Sequence, residues 1–146
     1  YCNNGGSLIG ICLGMQLLFN KGMEFGETNG LGIIPGVINR ISSKSKDNKD
    51  LIVPHVGWNK ILNQENPNFQ WEEEIKNCSQ YFVHSYAALV TEISEENIIC
   101  TTDYGGHKFA AMVRNKNTVG LQFHPERSGI DGINLLRNII ISLMKI

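Results

Sequence analysis

The stretch Gly10-Ile11-Cys12-Leu13-Gly14 constrains this chain more than any other. The run Ser7-Leu8-Ile9-Gly10-Ile11 reads as a short buried strand, and Met15-Gln16-Leu17-Leu18-Phe19 has apolar positions that suit a helix. A cysteine between two glycines at such a strand-to-helix junction has the spacing of a nucleophile elbow. A turn that sharp strains the central residue, so small neighbours are expected on both sides and the side chain is lifted clear of the sheet. The free N–H groups of the following helix favour the thiolate and are expected to lower the thiol pKa. The backbone N–H of Leu13 then sits where an oxyanion would form. Read alone, Cys12 could equally be a small buried hydrophobe.

Downstream, residues 22–36 are glycine-rich loop with a short strand at 31–34, and residues 37–41 alternate as a strand does. Residues 44–49 form a solvated loop. Extended segments are expected at 51–53 and 58–62, and residues 63–77 read as loop with one helical turn. Short strands are expected at 81–84, 87–90, 98–101, 109–114 and 119–123, separated by turns such as Gly105-Gly106. A helix follows from Asp131, read as its N-cap, to 145, with Ile133, Leu136, Ile140 and Leu143 as its core stripe. Apolar strands with helices at both ends argue an α/β sandwich: a mixed, mostly parallel sheet flanked by helices.

With 146 residues, 42% of them apolar, the chain can bury one core, and residues 1–146 read as one domain. A net charge of -1 gives no electrostatic case for nucleic acid. No apolar run reaches the roughly eighteen residues of a membrane span, so a cytoplasmic protein is expected. The thiols Cys2, Cys12, Cys78 and Cys100 show no CxxC pair and are expected to be free. His55, His84, His107 and His124 lie scattered, so no metal site is expected; His107, following a turn, is expected to be exposed.

The second chemical signal is Gly120-Leu121-Gln122-Phe123-His124-Pro125-Glu126. Side chains two apart in an extended chain share a face, so Glu126 can orient the His124 ring, and Pro125 suits the end of a strand. A structural histidine beside a surface acid has the same pattern. Paired with a cysteine elbow upstream, a Cys-His-acid constellation becomes the better reading.

Gly10-Ile11-Cys12-Leu13-Gly14-Met15-Gln16 and Gln122-Phe123-His124-Pro125-Glu126 resemble the two signature motifs of class I glutamine amidotransferases. Pro54-His55-Val56-Gly57-Trp58-Asn59, Tyr81-Phe82-Val83-His84-Ser85-Tyr86 and Thr101-Thr102-Asp103-Tyr104-Gly105-Gly106 resemble one branch, the glutaminase subunit of imidazole glycerol phosphate synthase. The resemblance runs from Leu8 onward and implies a flavodoxin-like three-layer fold. It implies Cys12 as nucleophile, His124 as acid/base and Glu126 as its orienter. Gln16, with Ser85 and Tyr86, would hold the amino acid part of glutamine, and Leu13 would donate to the oxyanion. His55 and His84 match family positions too, with structural hydrogen bonding as their assignment. Trp58 and Arg127 are expected at a partner face, although Ile61 and Leu62 nearby also fit a core tryptophan. By the same resemblance, roughly sixty or seventy residues would precede Ser7 and supply the glycine-rich loop that completes the oxyanion hole. The domain is therefore expected to lack its N-terminal part.

The implied activity is glutamine hydrolysis without a cofactor, with ammonia passed to a (β/α)8-barrel cyclase subunit in a heterodimer of histidine biosynthesis. Two rivals stay open: an amidotransferase serving another synthase, for instance in surface-polysaccharide amidination, and a cysteine peptidase or noncatalytic binding module on the same elbow.

Overall fold

The computed structural model describes residues 1–63, 75 and 78–144. The central five-stranded sheet has the order β1 (Leu8–Ile11), β11 (Thr118–Leu121), β10 (His107–Asn115), β9 (Ile98–Tyr104) and β6 (Leu62–Asn63). A second sheet runs β3 (Thr28–Asn29), β2 (Phe19–Gly22), β4 (Ile34–Arg40), β8 (Tyr86–Ala87), and a two-stranded ribbon joins β5 (His55–Lys60) to β7 (Ser79–His84). Helix α1 (Leu13–Gln16) follows β1, and α2 (Gly129–Met144) ends the described chain.

The central sheet is covered on both faces, which is why its strands read as continuous apolar runs. Along β9 and β10, Ile99, Ala111 and Met112 join Phe82, Phe123, Leu135 and Ile139 on the α2 side. Their neighbours Ile98, Ala110 and Val113 join Met15, Leu18, Phe19, Ile34 and Ile38 on the α1 side. The result is three layers, as expected. At ~1.5–3 kcal/mol for each large apolar side chain removed from water, these two clusters supply the main driving force of the fold.

The α/β class holds, but the pairing differs from the expectation. Among the described residues, β1–β11 and β2–β4 are parallel and the other pairs are antiparallel. The cause is local: β9, β10 and β11 are joined by tight turns at Gly105-Gly106 and at Lys116, all with positive φ, and a hairpin turn returns the chain antiparallel.

Several boundaries also differ. The first helix ends at Gln16, and Phe19 begins a strand, fully buried against Ile34. Residues 51–53 form no strand, and the expected strand at 87–90 is reduced to the Tyr86–Ala87 pairing, with a 3-10 turn at Val90–Glu92. The expected strand at 119–123 ends at Leu121. Helix α2 starts at Gly129, so Asp131 lies in its first turn and is not its N-cap.

Its buried face is Gly132, Leu135, Ile139 and Leu143; Ile133 and Ile140 are exposed, and Leu136 is partly buried. The apolar arc of the helix is wide, taking in Ile133, Leu135, Leu136, Ile139, Ile140 and Leu143, so periodicity alone allowed two faces. Gly132 decides between them, because a Cβ there would stand 2.3 Å from the Pro125 carbonyl oxygen. The expectation for residues 63–77 falls outside the described residues except at 63 and 75, as does the end of the last helix at 145. No helix among the described residues is long and apolar enough to cross a membrane.

Candidate active site

Cys12 stands between β1 and α1 with φ 52° and ψ -108°, a conformation that a non-glycine residue adopts only when its surroundings hold it there. Its N–H donates to the Leu121 carbonyl at 2.7 Å, which ties the elbow to the neighbouring strand β11. Gly10 is needed for this approach: a Cβ there would lie 2.5 Å from the Gly14 carbonyl oxygen. Gly14 is different. A Cβ at that position meets nothing within 4 Å, so the expected steric need for small residues on both sides holds only at Gly10.

The electrostatics also differ from the expectation. Burial pushes the Cys12 thiol above its ordinary value; the Leu13 backbone N–H pulls it down only in part, and the charge of Glu126 adds to the rise. A helix of one turn carries little dipole, so desolvation wins over the N-terminal effect expected from the sequence. The thiol donates weakly to the Val83 carbonyl at 3.8 Å, and Gln122 Nε2 faces the sulfur at the same distance.

Two residues beyond Gln122, the His124 N–H donates to the Tyr81 carbonyl at 2.9 Å. His124 Nδ1 lies 2.6 Å from Glu126 Oε1. The contact does not come from an extended chain, as the sequence suggested, but from the 3-10 turn Pro125–Arg127 that folds Glu126 back. Buried Ser128 fastens that turn, donating to the His124 carbonyl at 2.6 Å and accepting the Tyr81 N–H at 2.8 Å. With Nδ1 occupied, Nε2 is the ring nitrogen left for proton transfer.

Gln16, on α1, donates through Nε2 to the Tyr86 carbonyl at 3.0 Å and to Gln122 Oε1 at 3.2 Å. The Ser85 carbonyl accepts from the Ile41 N–H at 2.9 Å. His55 and His84 are buried and touch each other, while half-buried His107 bonds the Lys44 carbonyl at 2.8 Å and so is not simply exposed.

Trp58 is 58% exposed, so it is not a core tryptophan. It meets Tyr81 edge to face at 6.2 Å, and the Arg127 guanidinium lies 4.5 Å from the centre of the same ring. Among the described residues no three acids, cysteines or histidines are grouped to hold a metal ion, and all four cysteines are free.

The chain matches the family described as glutamine amidotransferase class-I over residues 1–143. It belongs to that family. The amidotransferase chain is 44% identical over 133 residues to the imidazole glycerol phosphate synthase subunit HisH of Streptococcus sanguinis, covering 91% of this chain and 59% of that protein. It is 42% identical over 134 residues to the HisH subunit of Oceanobacillus iheyensis, covering 91% of this chain and 61% of that one. It also matches the chloroplastic imidazole glycerol phosphate synthase hisHF of Arabidopsis thaliana, 37% identical over 140 residues, with 96% of this chain and 22% of that protein covered. The amidotransferase chain thus spans about three fifths of the length of its bacterial relatives. A solved glutamine amidotransferase shares the fold, with a TM-score of 0.61 at 16% identity over 96% of this chain and 61% of the other.

Two features beside the candidate site are not marked in the sequence. Gln122 is fully buried and bridges Gln16 and Cys12; its N–H is held at 2.8 Å by the carbonyl of Ala111, at the irregularity in β10. Glu24 lines a pocket with Leu13, Gln16, Leu17, Met23 and Asn29. Neither carries a spacing signal, since one depends on a bulge in another strand and the other on how β2 curls back over α1.

Proposed function

We propose that this chain carries the glutaminase step of an imidazole glycerol phosphate synthase. The observation that supports this most is the strained Cys12, tied at 2.7 Å to the strand that leads to the His124–Glu126 pair. Similarity to HisH proteins favours this synthase over a peptidase or a binding module.

The raised thiol gives the first proton transfer a direction. His124 Nε2 takes the Cys12 proton as sulfur attacks the side-chain carbonyl carbon of glutamine, and the Leu13 N–H stabilises the oxyanion. The imidazolium, steadied by Glu126, gives that proton to the departing nitrogen, so ammonia leaves and a γ-glutamyl thioester remains. Water then loses a proton to His124 and attacks the thioester, the sulfur recovers that proton, and glutamate leaves. The sum is glutamine plus water to glutamate plus ammonia. Gln16 and the Glu24 carboxylate are suited to the polar end of the substrate, Glu24 as a partner for an α-ammonium group.

The ammonia goes to a (β/α)8-barrel cyclase subunit docked over Trp58, Tyr81 and Arg127, aromatic and arginine groups of the kind that anchor interfaces. Four free thiols suit a reducing cytoplasm. The test is glutamate release by the full-length protein together with a (β/α)8-barrel cyclase subunit of imidazole glycerol phosphate synthase. Release that depends on the cyclase supports the reading, and none with a folded complex refutes it.

A further inference from the structure

His55 and His84 face each other across the antiparallel pair β5–β7, and their ring nitrogens order themselves in one way only. His84 Nδ1 lies 2.9 Å from the Tyr86 carbonyl, an acceptor, so this nitrogen carries the hydrogen. A neutral His84 then has a bare Nε2, which must accept from His55 Nδ1 at 3.0 Å. His55 Nε2 is in turn bare and faces the Asn59 amide Nδ2 at 3.4 Å, a group that also donates to the Asp103 carbonyl at 2.7 Å. Burial holds both rings neutral, each pushed down to about 4, with the neighbouring His124 adding to the effect at His84. Tyr104 and Phe82 stack on His55, and the edge of Phe109 meets His84, so neither ring can turn over without repacking.

The chain of bonds continues into the glutamine pocket. The Tyr86 carbonyl has two lone pairs, one taken by His84 Nδ1–H and the other by Gln16 Nε2–H at 3.0 Å. The second amide hydrogen of Gln16 goes to Gln122 Oε1 at 3.2 Å. Both donors of Gln16 are therefore spent, and the one polar group it can offer a ligand is the acceptor Oε1. Flipping its carboxamide would set an oxygen against the Tyr86 oxygen, so the carbonyl that His84 holds also decides which end of the Gln16 amide meets the substrate.

We propose that His84 is a positioning residue for glutamine: it fixes the Tyr86 carbonyl, which orients Gln16 so that Oε1 receives an N–H of the substrate. This deepens the glutaminase reading and rests on it for the identity of the substrate. A purely structural pair would stabilise the β5–β7 ribbon without bearing on substrate affinity.

Two amide replacements separate these roles, because each keeps one half of the imidazole. In His84→Asn the amide nitrogen can occupy the Nδ1 position and keep the bond to the Tyr86 carbonyl, while the contact with His55 is lost. In His84→Gln the amide reaches the Nε2 position, keeping His55 and losing Tyr86. The full-length protein bound to its cyclase, carrying Cys12→Ser so that glutamine binds without turnover, is titrated with glutamine by calorimetry; thermal unfolding is followed in parallel.

The expected result is an affinity within about twofold of the parent for His84→Asn and about tenfold weaker for His84→Gln, the size of one lost hydrogen bond. The order should hold whatever the two variants do to the melting temperature. Equal affinities in the two variants, or weaker binding in His84→Asn alone, would overturn the proposal. Glutamate release by the parent without Cys12→Ser is measured separately. If glutamine binds with the expected order but is not hydrolysed, the glutaminase reading fails and the positioning role of His84 stands for a glutamine-binding site.

Discussion

Gly10 and Gly120 stand opposite each other in the parallel pair β1–β11, and α1 lies across both. A Cβ on Gly10 would enter the backbone of Gly14 and Met15, and one on Gly120 would come within 2.7 Å of Met15 Cγ and 2.8 Å of Val113 Cγ2. The two absent side chains let the helix sit close enough to the sheet for Cys12 to be raised at its edge.

Alanine at Gly10 should therefore cost ~1–3 kcal/mol of stability, the usual penalty of overpacking, and should also reduce turnover by displacing the elbow. Alanine at Gly14 meets open space inside a helical turn and should leave stability unchanged or raise it by ~0.5–1 kcal/mol. Chemical denaturation of the two variants checks the contrast, and equal losses would show that the two glycines do the same job.

The raised Cys12 thiol predicts sluggish alkylation in the resting protein. Iodoacetamide labelling of Cys12 should be slow at pH 7 and speed up with pH through 9, because the thiolate is the reacting form and burial disfavours it. A labelling rate already on its plateau at pH 7 would mean that the α1 terminus outweighs burial.

Acid should weaken the fold through the buried imidazoles. His55 and His84 are pushed down to about 4 from 6.5 in the unfolded chain, so above pH 6.5 neither state is charged and the pair is neutral to stability. Between about 6.5 and 4 the unfolded chain takes up protons that the folded chain refuses, and stability falls with pH. Below about 4 the loss is complete. Denaturation at a series of pH values should show a shallower decline in His84→Asn than in the parent across this window.

Glu24 gives a separate test of the pocket. Glu24→Gln keeps the size and removes the charge, so the KM for glutamine should rise about tenfold or more with a smaller change in kcat, as expected for loss of an ion pair to bound substrate. An unchanged KM would place the α-ammonium group elsewhere.

The site was legible in the sequence where chemistry is carried by near neighbours. Cys12 in its turn and His124 beside Glu126 are local patterns whose pairing spacing could suggest, while the role of Gln16 came only with the resemblance to the amidotransferase motif. The layered α/β architecture was legible for the same reason, from apolar strand runs bounded by Gly105-Gly106 and similar turns. What depended on tertiary register was not. The His55–His84 pair requires β5 and β7 to align, the seating of α2 depends on a glycine rather than on its apolar stripe, and Phe19 leaves a helical pattern because Ile34 and Ile38 offer it a core. The rise in the Cys12 pKa was not legible either, because burial cannot be read from a motif.

Cys12 is the proposed nucleophile of a glutaminase. Its most direct test is glutamate release from glutamine by the full-length protein with its cyclase, compared with the same complex carrying Cys12→Ser. A fall of at least about 10³-fold is expected, with an intact fold and unaltered cyclase binding, because removal of a covalent nucleophile leaves only binding and oxyanion stabilisation. Retention of more than about a tenth of the parent rate would contradict it, since no catalysis through a thioester survives that substitution so well.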